Sequence, residues 1–422
     1  MNLSFPASHH STSRSSLSWQ KERMSYVVII GCGVVGATIA YELSNVKGLE
    51  ITVVDQQPPA LASTGAALGV LMGIISQKTK GKAWQMRQTS IQRYETLIPE
   101  LEAVTDRKIL FNRQGILMLL PEPSIPSLEK GDGEISQWEK LQQIRNSQGF
   151  PLEIWDTAKL KQICPQVDND KIVGAVYSKC DRQVDPTALT LALVDAAQHH
   201  GVTFKFGVQV LGIEPHPLPP PLSRGGDTEP HSLSPSHERV GGDEKFCYQL
   251  ETTEGKIAAD WFVVAAGLGS SLLTAQLQQM IDIRPVLGQA LHLRLGYSLG
   301  NPDFQPVITG DDVHIVPVGG GDYWIGATVE FSSNKDEIPP NKELLESVRQ
   351  QAIAFCPDLA KATTIRTWSG LRPRPEGRPA PVIGKLPGYS NILLATGHYR
   401  NGVLLAPATA DAIREMIVHN DF

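Results

Sequence analysis

Residues 26–55 read YVVIIGCGVVGATIAYELSNVKGLEITVVD. The stretch opens on Val27-Val28-Ile29-Ile30, a short β-branched run of the kind that forms a strand buried on both faces. Gly31-Cys32-Gly33-Val34-Val35-Gly36 follows with G-x-G-x-x-G spacing and leads into a helical pattern through Leu43. A second β-rich run, Ile51 to Val54, ends in Asp55. Gly31 permits the tight turn, Gly33 lets backbone approach a pyrophosphate, and Gly36 lets helix and strand pack closely. The helix N-terminus offers N–H groups and a positive dipole end to phosphate. Asp55 stands about 20 residues beyond the glycines, where a carboxylate accepts ribose hydroxyls. An ordinary glycine-rich turn would need no such acid, so the ordered set predicts a dinucleotide site. The motif alone does not choose between NAD and FAD.

The surrounding chain narrows the class. With 422 residues, 41% hydrophobic content and a net charge of −6, it is long enough for two globular domains. Mild acidity and the lack of a Lys/Arg block argue against nucleic acid as partner. No apolar run approaches the ~18 residues of a membrane helix. Cys32, Cys164, Cys180, Cys247 and Cys356 are scattered, without a CxxC pair or a His/Cys cluster. Reduced thiols, a cytoplasmic location and no metal are expected. Residues 1–24 are Ser-rich and polar, lack the apolar core of a secretory signal, and are expected to form a disordered tail.

Beyond Asp55, Leu61 to Gly73 is dense in small residues, suited to close approach to a flat ligand. Ala83 to Val104 carries a helical pattern; Ile109–Phe111 and Ile116–Leu120 are expected to pair as a hairpin through Asn112–Gly115. Asp185 caps a helix over Ala188–His200, with Pro186 in its first turn. Strands are expected over Val202–Phe206 and Gln209–Glu214. The Pro-, Gly- and Ser-rich stretch from Pro215 to Gly242 is expected to be an insertion between two hairpin strands. Trp261 to Gly269 is a buried strand with a small-residue end. Further extended runs are expected at Ala290–Leu295, Val313–Pro317, Tyr323–Val329 and Thr364–Thr367. Ile392 to Gly397 repeats the strand–glycine pattern before a last apolar helix.

The expected fold class is α/β: a Rossmann-like FAD-binding domain with an inserted, largely antiparallel α+β substrate domain. The FAD-binding parts are expected at 25–105, 183–270 (with the insertion at 215–242) and 366–422, and the substrate parts at 106–182 and 271–365. A nucleotide domain touched again at the far end of the chain suits one long cofactor, which favours FAD over NAD. The pocket is expected between the two domains.

These residues also carry a resemblance. GCGVVG with Asp55, the loop STGAALG, the strand end VVAAG, the segment WSGLRP (Trp368 to Pro373) and GHYRNGVLLAPAT (Gly397 to Thr409) resemble the FAD-dependent amino-acid oxidases of the D-amino-acid oxidase superfamily, glycine oxidases of thiamine biosynthesis most closely. The likeness spans nearly all of Ser25 to Val418 outside the Pro-rich insertion. It implies noncovalent FAD with its pyrophosphate on Val34 and Val35 and its ribose at Asp55 and Gln56. Ala62, Ser63, Ala67, Gly69, Val70 and Gly267 would line the cofactor, and Val210 would touch its adenine end. His398, Tyr399, Arg400, Asn401, Gly402, Val403 and Leu404 would run past the isoalloxazine, with Arg400 at the flavin or the pocket mouth.

The same resemblance makes Arg372 the holder of a substrate carboxylate, a task its planar fork suits. The rival reading, a structural arginine, rests on Arg366, Arg374 and Arg378 close by in a Pro-rich loop. At His314 the chain departs from the family pattern, where a tyrosine lines the pocket, and at Asp312 a histidine would be expected. His314 is expected to bind substrate and titrate near neutrality, or to fill space. The implied reaction turns a small amino acid and O2 into a 2-oxo acid, ammonia and hydrogen peroxide, with hand-off to thiazole synthase and a homo-oligomer among the expected partners. Three other readings remain: a dehydrogenase feeding a quinone, an NAD-linked dehydrogenase, and a non-catalytic flavin-binding protein.

Overall fold

The structure, a computed structural model, describes residues 24–122, 134–216, 245–332 and 338–419. The N-terminal tail and nearly all of the Pro-rich insertion lie outside the described residues. A six-stranded sheet runs Val382–Lys385, Ile392–Thr396, Trp261–Val264, Ser25–Ile30, Leu49–Asp55, Thr203–Phe206. All neighbours are parallel except the first pair. The alternation along each central strand explains burial on both sides. Val27, Ile29, Ile51, Val53 and Val263 face helices Val34–Ser44, Gly81–Thr105, Pro186–His199 and Gly402–Val418. Val28, Ile30, Val54, Phe262 and Val264 face a small antiparallel sheet of Val210–His216, Phe246–Thr252 and Gly255–Ala258, and helix Ser270–Gln276. The strands flanking the Pro-rich stretch therefore pair as a hairpin, as expected.

The second large sheet has nine strands, antiparallel except where Val307–Gly310 runs beside Ile116–Pro121. Helix Lys342–Phe355 covers it, capped by Asn341, whose side chain accepts from the N–H groups of Glu343 and Leu344. The expected Ile109–Leu120 hairpin does not form. Phe111–Asn112 pairs with Arg182–Val184 in a separate three-stranded sheet, while Ile116–Pro121 pairs with Ile172–Ser178. A local turn signal could not reveal that the two runs find different distant partners.

The largest difference concerns Thr364–Thr367. This segment is a thirteen-residue strand, Thr363–Pro375, paired with Ile283–Arg294 from Arg294↔Thr363 to Ile283↔Pro375. The boundary expected at 365/366 falls inside it, so Arg372 belongs to the second sheet and not to a Pro-rich loop. The prolines misled because Pro373 and Pro375 sit within a strand, where their missing N–H groups discourage such a reading.

Pro407 lies inside the last helix and offers no N–H to the carbonyl of Val403 four residues back. Tyr94 of the long helix fills that vacancy, its hydroxyl donating to Val403 O at 2.5 Å. Ser90 Oγ accepts from Ala408 N nearby, at 3.2 Å. Helices Gly81–Thr105 and Gly402–Val418 are thereby locked together.

Candidate active site

The parallel strands share one polarity, so their carboxyl ends converge. Gly31 follows Ser25–Ile30, Asp55 ends Leu49–Asp55, Ala265–Gly267 follow Trp261–Val264, and Gly397–His398 follow Ile392–Thr396. Gly31 has φ +107°, and a Cβ there would lie 2.6 Å from the carbonyl oxygen of Ala265. A Cβ on Gly36 would lie 1.9 Å from the carbonyl oxygen of Gly31. Backbone thus packs on backbone beneath a cavity of about 640 Å³. Asp55 Oδ2 accepts from Cys32 N at 2.6 Å and Oδ1 from Gln57 N at 2.9 Å, which fixes its carboxylate while leaving lone pairs on both oxygens. Burial, with Asp55 nearby, pushes the Cys32 thiol up and keeps it protonated.

Of the residues expected at the cofactor, Gly31, Gly33, Val34, Val35, Asp55, Gln56, Ala62, Ser63, Ala67, Gly69, Val70, Val210, Gly267, His398, Tyr399, Arg400, Gly402 and Val403 line this cavity. Three do not. Gly36 lies beneath Gly31, Asn401 lines a neighbouring cavity, and Leu404 is buried in the core. Thr64 was missed: its Oγ1 accepts from Val34 N at 3.0 Å and draws the loop onto the helix N-terminus. Nothing in the spacing marks it.

The opposite wall comes from the second sheet. Ser63 Oγ donates to Leu371 O at 2.6 Å and Trp368 Nε1 to Ala66 O at 3.1 Å, fastening the small-residue loop to the Thr363–Pro375 strand. Arg372 enters the cavity from this strand, half-buried, its Nη1 donating to Leu287 O at 3.1 Å and Thr328 O at 3.0 Å. Its guanidinium lies against Gly288, which pairs with Gly370 across the two strands. Gly288, Gln289, Ala290 and Ala327 line the same wall and were not anticipated. The facing glycines in VLGQA and WSGLR were the one available signal of a close approach. Burial lowers the Arg372 pKa, and the like charge of Arg400 adds to the strain.

His314 lines both this cavity and a second one of about 500 Å³, as does Arg400, whose Nη2 stands 3.2 Å from Asp312 Oδ1. Titration of His314 near neutrality is not supported: burial, then the charge of Arg400, holds its pKa down to about 4. Its Nδ1 is shut from solvent with no hydrogen-bond partner among the described residues. His398 is likewise held down to about 4 by burial. Thr409 gives its hydroxyl proton to Leu405 O at 2.8 Å, so its oxygen accepts from His398 Nε2 at 2.9 Å. That fixes the tautomer: His398 carries its proton on Nε2.

A nucleotide cradle on a parallel sheet, joined to a pocket walled by an antiparallel one, defines a two-sheet, dinucleotide-dependent oxidoreductase. The chain belongs to the DAO family of FAD dependent oxidoreductases, whose model matches residues 26–416. FAD is its cofactor, and the long cavity ending in an ordered carboxylate fits one. An NAD-linked dehydrogenase and a non-catalytic flavin carrier are set aside. A bifunctional ThiO/ThiG protein of Nostoc sp. strain PCC 7120 is 30% identical over 393 residues, 93% of this chain and 52% of that protein. The chain therefore spans about half the length of the first curated relatives it matches. A glycine oxidase of Bacillus subtilis strain 168 is 27% identical over 399 residues, 93% of each chain. The crystal structure of glycine oxidase from Geobacillus kaustophilus superposes with a TM-score of 0.75 at 23% identity, over 94% of this chain and 95% of that one, a likeness of fold. No described helix is long and apolar enough to cross a membrane, and no described cluster of His, Cys, Asp or Glu could hold a metal.

Proposed function

We propose that the protein oxidises a small α-amino acid, glycine foremost, to its imine, with O2 as the final electron acceptor. The observation that carries this reading is the Arg372 guanidinium. It enters the cavity with two neutral carbonyls as hydrogen-bond acceptors and Arg400 as a like charge. A substrate carboxylate offsets both its desolvation and that repulsion. FAD, when bound, supplies a two-electron acceptor that O2 regenerates with formation of hydrogen peroxide.

The cofactor is held by the backbone of Gly31 to Val35, by Asp55 and Gln56, and by the loop from Ala62 to Val70. Attachment is read as noncovalent: among the described residues lining the cavity Cys32 is the one cysteine, and it lies at the nucleotide end beside Asp55. Arg372 fixes the carboxylate so that the substrate Cα–H faces the flavin, and this positioning does most of the work. Among the described residues lining the cavity, Asp55 at the nucleotide end is the one carboxylate. If the amine binds neutral, no protein base is required at Cα, which fits a cavity without a catalytic carboxylate pair among its described lining residues. His314, kept neutral, adds a hydrogen bond without adding repulsion toward Arg372. Glycine loses a hydride and a proton, and its imine takes up water to give glyoxylate and ammonia.

The likeness to a ThiO/ThiG protein supports a role in supplying glycine imine to thiazole formation, with thiazole synthase as the receiving partner. Oxygen uptake and peroxide release by the purified holoenzyme, screened on glycine, sarcosine, small D-amino acids and D-proline, test the reading. Peroxide formed one-for-one with glyoxylate from glycine is expected. Anaerobic bleaching of the flavin by glycine without oxygen uptake in air would make it a dehydrogenase.

A further inference from the structure

Behind Arg372 lies a polar cluster with no part in the reaction described above. Glu330 is 7% exposed and Gln289 5%, both within the second sheet's wall. Glu330 Oε1 accepts from Thr328 Oγ1 at 2.5 Å and from Gln289 Nε2 at 2.8 Å, and Oε2 accepts from Asn341 N at 2.9 Å. Every one of these partners donates, so both oxygens must be acceptors, which a carboxylate provides and an amide does not. Gln289 Nε2 also donates to Asn341 O at 2.7 Å.

The cluster closes on one residue, Thr328. Its hydroxyl oxygen accepts from Gln289 N at 2.8 Å while giving its proton to Glu330, and its own N–H donates to Gln289 O at 3.1 Å. Thr328 is thus held by its side chain and by its amide, and what remains is its carbonyl. That carbonyl accepts from Arg372 Nη1. A side-chain carboxylate buried this deeply is costly unless it organises something. Here it clamps the peptide that aims the guanidinium, and its negative charge favours the charged form of Arg372.

We propose that Glu330, acting through Thr328 and Gln289, is the positioning residue that sets the orientation of Arg372 for a substrate carboxylate. This rests on the assignment of Arg372 as the carboxylate holder. The prediction is a defect in carboxylate binding, with little change in flavin binding or in the bond-breaking step. Glu330→Gln keeps the volume but sets an NH2 group against donors, so the clamp loosens at one corner.

The test uses the holoenzymes of wild type, Glu330→Gln, Thr328→Val and Arg372→Ala. Acetate, a carboxylate without an amine, is titrated while its perturbation of the flavin absorbance is followed; kcat and KM for glycine are measured beside it. For Glu330→Gln and Thr328→Val the acetate Kd and the glycine KM are expected to rise together by about tenfold, with kcat and flavin content nearly unchanged. Thr328→Val removes the hydroxyl link in the same shape, and stands in should Glu330→Gln fail to fold. An unchanged acetate Kd, or a loss confined to kcat or to flavin content, overturns the proposal. Arg372→Ala separates the two levels. If it binds acetate and turns over glycine normally, the reading of the site fails; if it loses both while the clamp variants behave as wild type, only the role of Glu330 fails.

Discussion

A Cβ placed on Gly288 would stand 2.3 Å from Nη2 of Arg372, so the guanidinium lies directly on the backbone of the neighbouring strand. The pairing of Val286 with Arg372 and of Gly288 with Gly370 produces this contact across two long antiparallel strands. A side chain at 288 and the present guanidinium position exclude each other.

Gly288→Ala follows directly. The strand pairing is kept, and the new methyl pushes the guanidinium off its carbonyl acceptors. The KM for glycine is expected to rise by about tenfold or more, since small misplacements of an orienting group are expensive. Steady-state kinetics on folded, flavin-loaded variant checks it; an unchanged KM would mean Arg372 does not meet substrate from this position.

Asp55→Ala removes the acceptor of two backbone N–H groups, those of Cys32 and Gln57, together with the expected ribose contact. FAD affinity is expected to fall by roughly tenfold to a hundredfold. The apoprotein titrated with FAD and followed by flavin fluorescence quenching measures this directly. Affinity equal to wild type would displace the ribose from Asp55.

Arg145 is a buried cation that ties several loop carbonyls together. It has no exposed surface, stacks 3.5 Å from the ring centroid of Trp84, and donates to the carbonyls of Ile74, Ser76 and Lys78. Burial lowers its pKa to about 10, with Asp181 opposing the shift. Asp181 in turn accepts from the N–H groups of Gly73, Ile74 and Ile75. Arg145→Met is expected to destabilise the fold by about 3 kcal/mol, because the buried carbonyl of Ile74 and the part-buried ones of Ser76 and Lys78 lose a donor at once and Asp181 loses a nearby positive charge. Denaturant unfolding reads it; a change within experimental scatter would refute the account.

Acid should weaken the protein through His314 and His398. Both are pushed by burial from 6.5 to about 4, so the folded chain resists protons that the unfolded chain accepts. The stability they contribute is complete above about pH 6.5 and is lost as the pH falls toward 4. The Tm of the holoenzyme is therefore expected to drop between about pH 7 and pH 4.5, and to drop less when His398 is replaced by Gln. A Tm independent of pH across that window would show that the two rings are not buried neutral.

Residues 26–55 by themselves determined the nucleotide-binding layer. Alternating apolar residues, glycine spacing and a terminal acid are local properties, and each acts within a few residues of itself. The helix cap at Asp185 and the hairpin flanking the Pro-rich stretch were legible for the same reason. Arg372 could be picked out as a type of residue, but its setting could not. Leu287 and Thr328, its hydrogen-bond acceptors, are 85 and 44 positions away in the chain. Only strand pairing brings them together, and it also placed Phe111–Asn112 and Ile116–Pro121 in different sheets against a plausible turn signal. The neutrality of His314 was equally a tertiary decision, because desolvation depends on what the folded chain stacks around a ring and leaves no mark in the residues beside it.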